Sequence, residues 1–170
     1  MLKSPTLVWM NSDKQSQNST GRLAVHFSSA NDGWETPRWL FEGLDSEFGF
    51  TLDPCATRAS AKCKRYFTID EDGLAQSWAN ETVFMNPPYG RNIARWVKKA
   101  FESSQNGATV VCLLPARTDT RWWHDYVMRG EVRLCRGRLR FGEAKSGAPF
   151  PSAVVVFRPA AFKLFSFGQW

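Results

Sequence analysis

The spacing of apolar residues along this chain changes period several times, and each change predicts an element. Leu40, Leu44 and Phe48 recur at helical spacing with Phe41 beside them, after Thr36-Pro37 and before Gly49. Proline suits a first helical position, threonine can cap the exposed N–H groups of a first turn, and glycine ends a helix easily. Phe50-Thr51-Leu52-Asp53, stopped by Pro54, predicts a short strand, and Tyr66-Phe67 another, ahead of the acidic turn Asp70-Glu71-Asp72-Gly73. Thr82 to Met85 is a short apolar run. After it, Ile93, Trp96, Val97, Ala100 and Phe101 form an i, i+3, i+4, i+7, i+8 stripe that predicts an amphipathic helix ended by Asn106-Gly107.

Ala108 to Leu114 is continuously apolar and rich in β-branched residues, the pattern of a central parallel strand buried on both faces. Asp119 to Met128 predicts a further helix, and Val132 to Cys135 and Ala153 to Phe157 two last strands. Trp122 and Trp123 are adjacent, so the pattern predicts one in the core and leaves the other for packing or for a stacking platform. Helices alternating with strands imply an α/β sandwich around a mostly parallel sheet. The last two strands lack a long helix between them, which predicts an antiparallel edge strand. Residues 1–24 are polar and aperiodic and read as a mobile N-terminal tail, with 25–170 as the single folded domain.

Composition narrows the function classes. With 43% apolar residues in 170, the chain is long enough to bury a core and too apolar to be wholly disordered. Twenty-two Lys+Arg against 16 Asp+Glu give a net charge of +6, compatible with a polyanionic partner. Cys55, Cys63, Cys112 and Cys135 include no C-x2-C pair, and His26 and His124 do not complete a ligand set, so no metal is expected. No apolar run is long enough to cross a bilayer and no secretory leader is visible, which predicts a cytoplasmic, reduced protein.

The chemistry concentrates in Asn86-Pro87-Pro88-Tyr89, on the loop leaving the strand that ends at Met85. Prolines fix φ and carry no N–H, which turns the local carbonyls outward. Asn86 offers a carbonyl oxygen as acceptor, and Tyr89 an aromatic face. Together they suit a planar ring bearing an exocyclic NH2 group. The same four residues also read as an ordinary turn followed by a packed tyrosine. Ligands of open α/β sheets bind at the carboxyl ends of strands, which is where this loop is predicted to lie.

Five segments resemble the phage-type (Dam-like) DNA adenine-N6 methyltransferases. They are Trp34-Glu35-Thr36-Pro37, Phe48 to Asp53, Phe84 to Gly90, Leu114 to Thr120 and Ala148 to Ser152. The resemblance implies a class I S-adenosylmethionine-dependent (Rossmann-like) methyltransferase domain over 25–170, with a seven-stranded sheet whose last strand is antiparallel. It implies adenine in DNA as substrate, in a bacterial host cell, and Asn86, Pro87, Pro88 and Tyr89 as the catalytic loop. Asn86 and the Pro87 carbonyl would accept hydrogen bonds from the amine, while Tyr89 stacks on a flipped or single-stranded base. Thr36, Pro37, Asp53 and Asp72 match cofactor-contacting positions, and Cys55 and Ala56 are candidate cofactor contacts because they are small enough to allow close approach. Where the wider group has a Gly-rich turn after the first strand, this chain has Asp53-Pro54-Cys55-Ala56. Arg91, Arg117, Arg121, Arg138, Arg140 and Lys145 are the candidate phosphate contacts, with 137–147 as the loop over the DNA. A related loop serves methylation of RNA, cytosine N4 or protein glutamine, and a non-catalytic nucleic-acid-binding module is the alternative of another class.

Overall fold

The computed structural model describes residues 34–159. The tail expected over 1–24 lies outside the described residues. Helix α1, Arg38–Phe48, starts after Pro37, whose carbonyl accepts the N–H groups of Leu40 and Phe41 at 3.1 Å each. Gly49 closes the helix at φ 66°, and its N–H reaches the Asp45 carbonyl at 2.8 Å. Thr36 does not cap this helix as the sequence suggested: no side chain does.

Six strands form one sheet: β1 Leu52–Asp53, β2 Arg65–Tyr66, β3 Thr82–Met85, β4 Thr109–Pro115, β5 Glu131–Leu134 and β6 Ser152–Phe157. Their spatial order is β2-β1-β3-β4-β6-β5. β2, β1, β3 and β4 are mutually parallel, and β6 runs antiparallel to both β4 and β5. Among the described residues the sheet is therefore six-stranded and mostly parallel, with its last strand reversed. The reversed strand is not at the edge, which corrects the sequence-based expectation. Every residue of β6 is buried, whereas Glu131 and Leu134 of β5 are exposed, so the more apolar strand takes the inner place.

Pleating assigns the helices to faces. Phe84 pairs with Val111, and Val111 with Val156; on that face Phe84 meets Phe41 of α1 at 5.1 Å. On the other face Phe157 meets Phe101 of helix α2, Ile93–Gln105, at 5.9 Å. The third helix is shorter than its apolar pattern predicted: α3 spans Arg121–Asp125, followed by a 3-10 turn over Val127–Arg129. Both Trp122 and Trp123 are buried, their rings edge-on at 5.8 Å. Neither is an exposed platform, because both side chains belong to the buried core.

Candidate active site

The parallel strands β1, β3 and β4 deliver Asp53, Asn86 and Ala116 to one edge of the sheet. β6 runs the other way, so the chain enters it at this same edge through Phe150-Pro151. The Ala116 N–H donates to the Pro151 carbonyl at 2.9 Å, tying the two loops together. From β1 the chain passes to β2 on one side, and from β2 back across β1 to β3 on the other. The carboxyl ends of β1 and β3 thus flank the topological switch point, where open α/β sheets take their ligands.

Asn86 stands directly after β3. Its Nδ2 donates to the Trp34 carbonyl at 2.5 Å and to Thr36 Oγ1 at 3.0 Å. Its Oδ1 is buried and has no hydrogen-bond partner. Buried polar atoms are nearly always paired, so an unpaired acceptor at a strand end is informative. The only other such side-chain atom among the described residues is Oγ of Ser152, at the start of β6 on the same edge.

The loop prolines are buried at 87 and half-buried at 88. Tyr89 differs from its expected role as an open stacking surface. It is 7% exposed, its hydroxyl donates to the Leu113 carbonyl at 3.2 Å, and burial holds its phenol well above the usual pKa. Phe141 and Phe150 meet its ring edge-on at 6.1 and 5.5 Å, and both also meet Trp34, at 5.4 and 5.1 Å. An aromatic cluster therefore closes over the Asn86 corner. Trp34, Phe141 and Phe150 acquired no role from sequence reasoning, because aromatic residues in loops carry no periodic signal.

Phe141 belongs to the 137–147 stretch expected to lie over DNA. Leu139 and Phe141 point inward and are buried, while Arg138, Arg140 and Lys145 are exposed. The Ala148 N–H donates to the Leu139 carbonyl, and the Gly142 N–H to the Glu35 carbonyl, both at 2.8 Å. Arg91 is exposed after the Asn86-Pro87-Pro88-Tyr89 loop, Arg117 is half-buried after β4, and Arg121 is exposed in the first turn of α3. All six candidate cations leave the carboxyl edge or lie next to it.

The turn after β1 is shaped from inside by Asp53, which is 5% exposed. Its Oδ1 accepts from the Cys55 N–H at 3.4 Å and its Oδ2 from the Lys62 N–H at 3.1 Å. Burial raises its pKa, and the two backbone donors oppose that shift. Ala56 is buried, with its N–H on the Phe67 carbonyl at 3.1 Å. Burial drives the half-buried Cys55 thiol well above its ordinary pKa, which makes it a packing group and no nucleophile.

Asp72 is exposed at φ 45°, and its Oδ1 accepts from the Leu74 N–H at 3.2 Å. Beside it, Gly73 packs directly on Pro54: a Cβ there would fall 1.9 Å from the Pro54 carbonyl oxygen. The acidic turn and the β1 turn are therefore in backbone contact. Thr36 and Pro37 are buried, and Thr36 faces Asn86. No cluster of three or more metal-ligating side chains occurs among the described residues. No helix among them is long and apolar enough to cross a membrane.

A family model described as DNA N-6-adenine-methyltransferase (Dam) matches residues 25–164. The chain belongs to this family. Every segment lining the carboxyl edge, from Trp34 to Ser152, falls within the matched range. Among curated Dam-type relatives, the DNA N-6-adenine-methyltransferase of Haemophilus phage HP1 (strain HP1c1) is 30% identical over 142 residues. That alignment covers 78% of this chain and 82% of the phage protein. The protein of the same name from Escherichia phage T1 is 33% identical over 94 residues, 54% of this chain and 39% of its own length.

Proposed function

We propose that this Dam-family protein methylates the exocyclic N6 of adenine in DNA, on a single-domain class I fold that takes S-adenosylmethionine at the switch point between β1 and β3. The observation that carries the reading is the buried, unpartnered Oδ1 of Asn86, an acceptor in need of a donor. An adenine NH2 supplies two N–H donors on a planar ring. One would go to Asn86 Oδ1 and one to the Pro87 carbonyl, which draws the nitrogen lone pair away from the ring. A neutral amide does not act as a base near pH 7, so Asn86 positions and polarises; the N6–methyl bond would form as the sulfur–methyl bond breaks, sulfur keeping the electron pair, and the surplus N6 proton would then pass to water.

S-adenosylmethionine, when bound, supplies an electrophilic methyl carbon on a positively charged sulfur. The residues fit such a guest. Asp53 stiffens the β1 turn, Cys55 and Ala56 are small, Gly73 brings the Asp72 turn against Pro54, and Asp72 remains exposed for a polar contact. Phe141, Phe150 and Trp34 pack together beside Asn86, with both phenylalanines on the Tyr89 ring. For Tyr89 to stack on an extruded or single-stranded adenine, Phe150 and, from the 137–149 segment, Phe141 would have to move off its ring. The outward cations of that segment suit a phosphate backbone as the agent that holds it open.

The test is Asn86→Ala, assayed on an adenine-containing oligonucleotide with tritiated donor and with mass spectrometry of the nucleosides. We expect N6-methyladenine formation to fall by about 100-fold or more, as for loss of one transition-state hydrogen bond. Donor affinity by calorimetry should change by no more than about threefold, on the scale of one weak contact. Wild-type turnover in the variant, or a product other than N6-methyladenine from the parent protein, overturns the reading.

A further inference from the structure

Thr36 and Asn86 are 50 residues apart in sequence, yet Thr36 Oγ1 accepts from Asn86 Nδ2 at 3.0 Å. The threonine is 4% exposed, and its hydroxyl makes no bond to the helix that begins beside it. A threonine immediately before Pro37 is well placed to cap α1, so its engagement elsewhere needs a reason.

The two ends of an asparagine amide are nearly the same size, and rotation by 180° exchanges an acceptor for a donor. Only one of the two orientations accepts a hydrogen bond from an amine. The Trp34 carbonyl is an acceptor alone, so at 2.5 Å it requires Nδ2 on its side. Rotation would set two acceptor oxygens against each other there and leave an N–H pair aimed at the incoming NH2. Thr36 Oγ1 takes the second N–H of the same group, which removes the remaining freedom about the terminal torsion. With both N–H groups held, Oδ1 has one direction left, and in that direction it has no partner.

We infer that Thr36 is a positioning residue for methyl transfer: with the Trp34 carbonyl it locks the Asn86 amide in the single orientation that can accept a hydrogen bond from the target amine. This inference rests on the adenine-N6 reading above. It moves Thr36 from the donor half of the site, where sequence resemblance had put it, to the acceptor half.

The experiment compares the parent protein, Thr36→Val, Thr36→Ser and Asn86→Ala in steady-state methylation of one oligonucleotide, with donor binding measured by calorimetry. Valine keeps the volume and removes the hydroxyl. The expected result is a kcat lower by about tenfold in Thr36→Val, the scale of one hydrogen bond. KM for DNA and Kd for the donor should stay within about twofold, with most of kcat recovered in Thr36→Ser. A donor-contact role would instead raise Kd for the donor and leave kcat at saturation intact, and that pattern overturns the inference. So does unchanged kcat in Thr36→Val while Asn86→Ala is inactive. If the parent protein forms no N6-methyladenine, the functional reading fails first and the inference falls with it.

A second measurement does not depend on the valine variant folding. In 15N spectra of the parent protein, the Asn86 side-chain amide, identified by its absence in Asn86→Asp, should show protons shifted by hydrogen bonding and protected from exchange. Exchange of that pair at the free solvent rate overturns the inference.

Discussion

Gly73 sits against Pro54 so closely that any side chain would collide with the Pro54 carbonyl. The relationship joins two turns 19 residues apart and has no slack, since Trp96 lies 3.3 Å from the same point and the Trp78 indole N–H holds the Gly73 carbonyl at 2.9 Å. Gly73→Ala should therefore push the two turns apart, costing about 2 kcal/mol by overpacking. Because those turns form the proposed donor site, its Kd for S-adenosylmethionine should rise by about tenfold or more, a loss of about 1.4 kcal/mol. Calorimetry and thermal unfolding of the one variant check both numbers. Lost stability with unchanged donor affinity would detach this turn from the site.

Phe141 is the ring through which the 137–149 segment meets both Trp34 and Tyr89. Phe141→Leu keeps an apolar contact and removes the edge-on pair, at a cost of about 1 kcal/mol. If the segment must lift before a base enters, weakening its hold should lower the KM for DNA by about fivefold, with kcat within about twofold, in line with that cost. A KM several-fold higher would instead make Phe141 part of the surface that grips DNA.

The exposed Arg138 and Lys145 lie on the outer side of that segment. If they meet phosphates, the Arg138→Gln, Lys145→Gln double variant should weaken binding to all sequences alike. The slope of log K against log salt should become shallower by nearly 2 on duplex DNA. An unchanged slope, measured by fluorescence anisotropy from low to physiological salt, would remove both from the interface.

Arg133 of β5 fastens the sheet edge to α1 through two 2.6 Å hydrogen bonds to Glu47. Those bonds hold the Glu47 carboxyl below its ordinary pKa, while burial opposes the shift. A lowered folded-state pKa contributes stability that is fully present above the unfolded-state glutamate value of about 4.3 and disappears as pH falls through the folded value. Glu47→Gln should cost about 1 kcal/mol at pH 7, reduced by solvent screening of a partly exposed pair. Urea unfolding of parent and variant should converge once pH falls below the lowered folded-state value, where both are uncharged at this position. A gap that persists in acid would assign the loss to packing.

Much of the architecture was legible because periodicity records burial. The stripe from Ile93 to Phe101 and the run from Ala108 to Leu114 became α2 and β4 within a residue or two. The position of β6 was not legible. Which of two late strands lies inside depends on which is apolar on both faces: Ala153 to Phe157 is wholly apolar and Val132 to Cys135 carries Arg133, a difference that chain order alone does not use. α3 was overestimated because a continuing apolar pattern does not reveal where the helix tightens into a 3-10 turn. At the site, the position of Asn86 followed from the strand and prolines around it. Its partners did not, since Trp34 and Thr36 come to it only through the tertiary fold. The same holds for Tyr89: a loop tyrosine looks available until Phe141 and Phe150, from a segment some 50 residues later, are seen to cover it.

The reversal of β6 has a consequence for biosynthesis. Because that strand is inserted between β4 and β5, the pocket wall carrying Phe150 and Ser152 takes its place only after nearly the whole described chain has left the ribosome. A nascent polypeptide that ends before β6 lacks the roof over the amide-and-proline corner and leaves β5 without its neighbour in the sheet. The sheet around that corner is therefore complete only once translation has delivered its last strand.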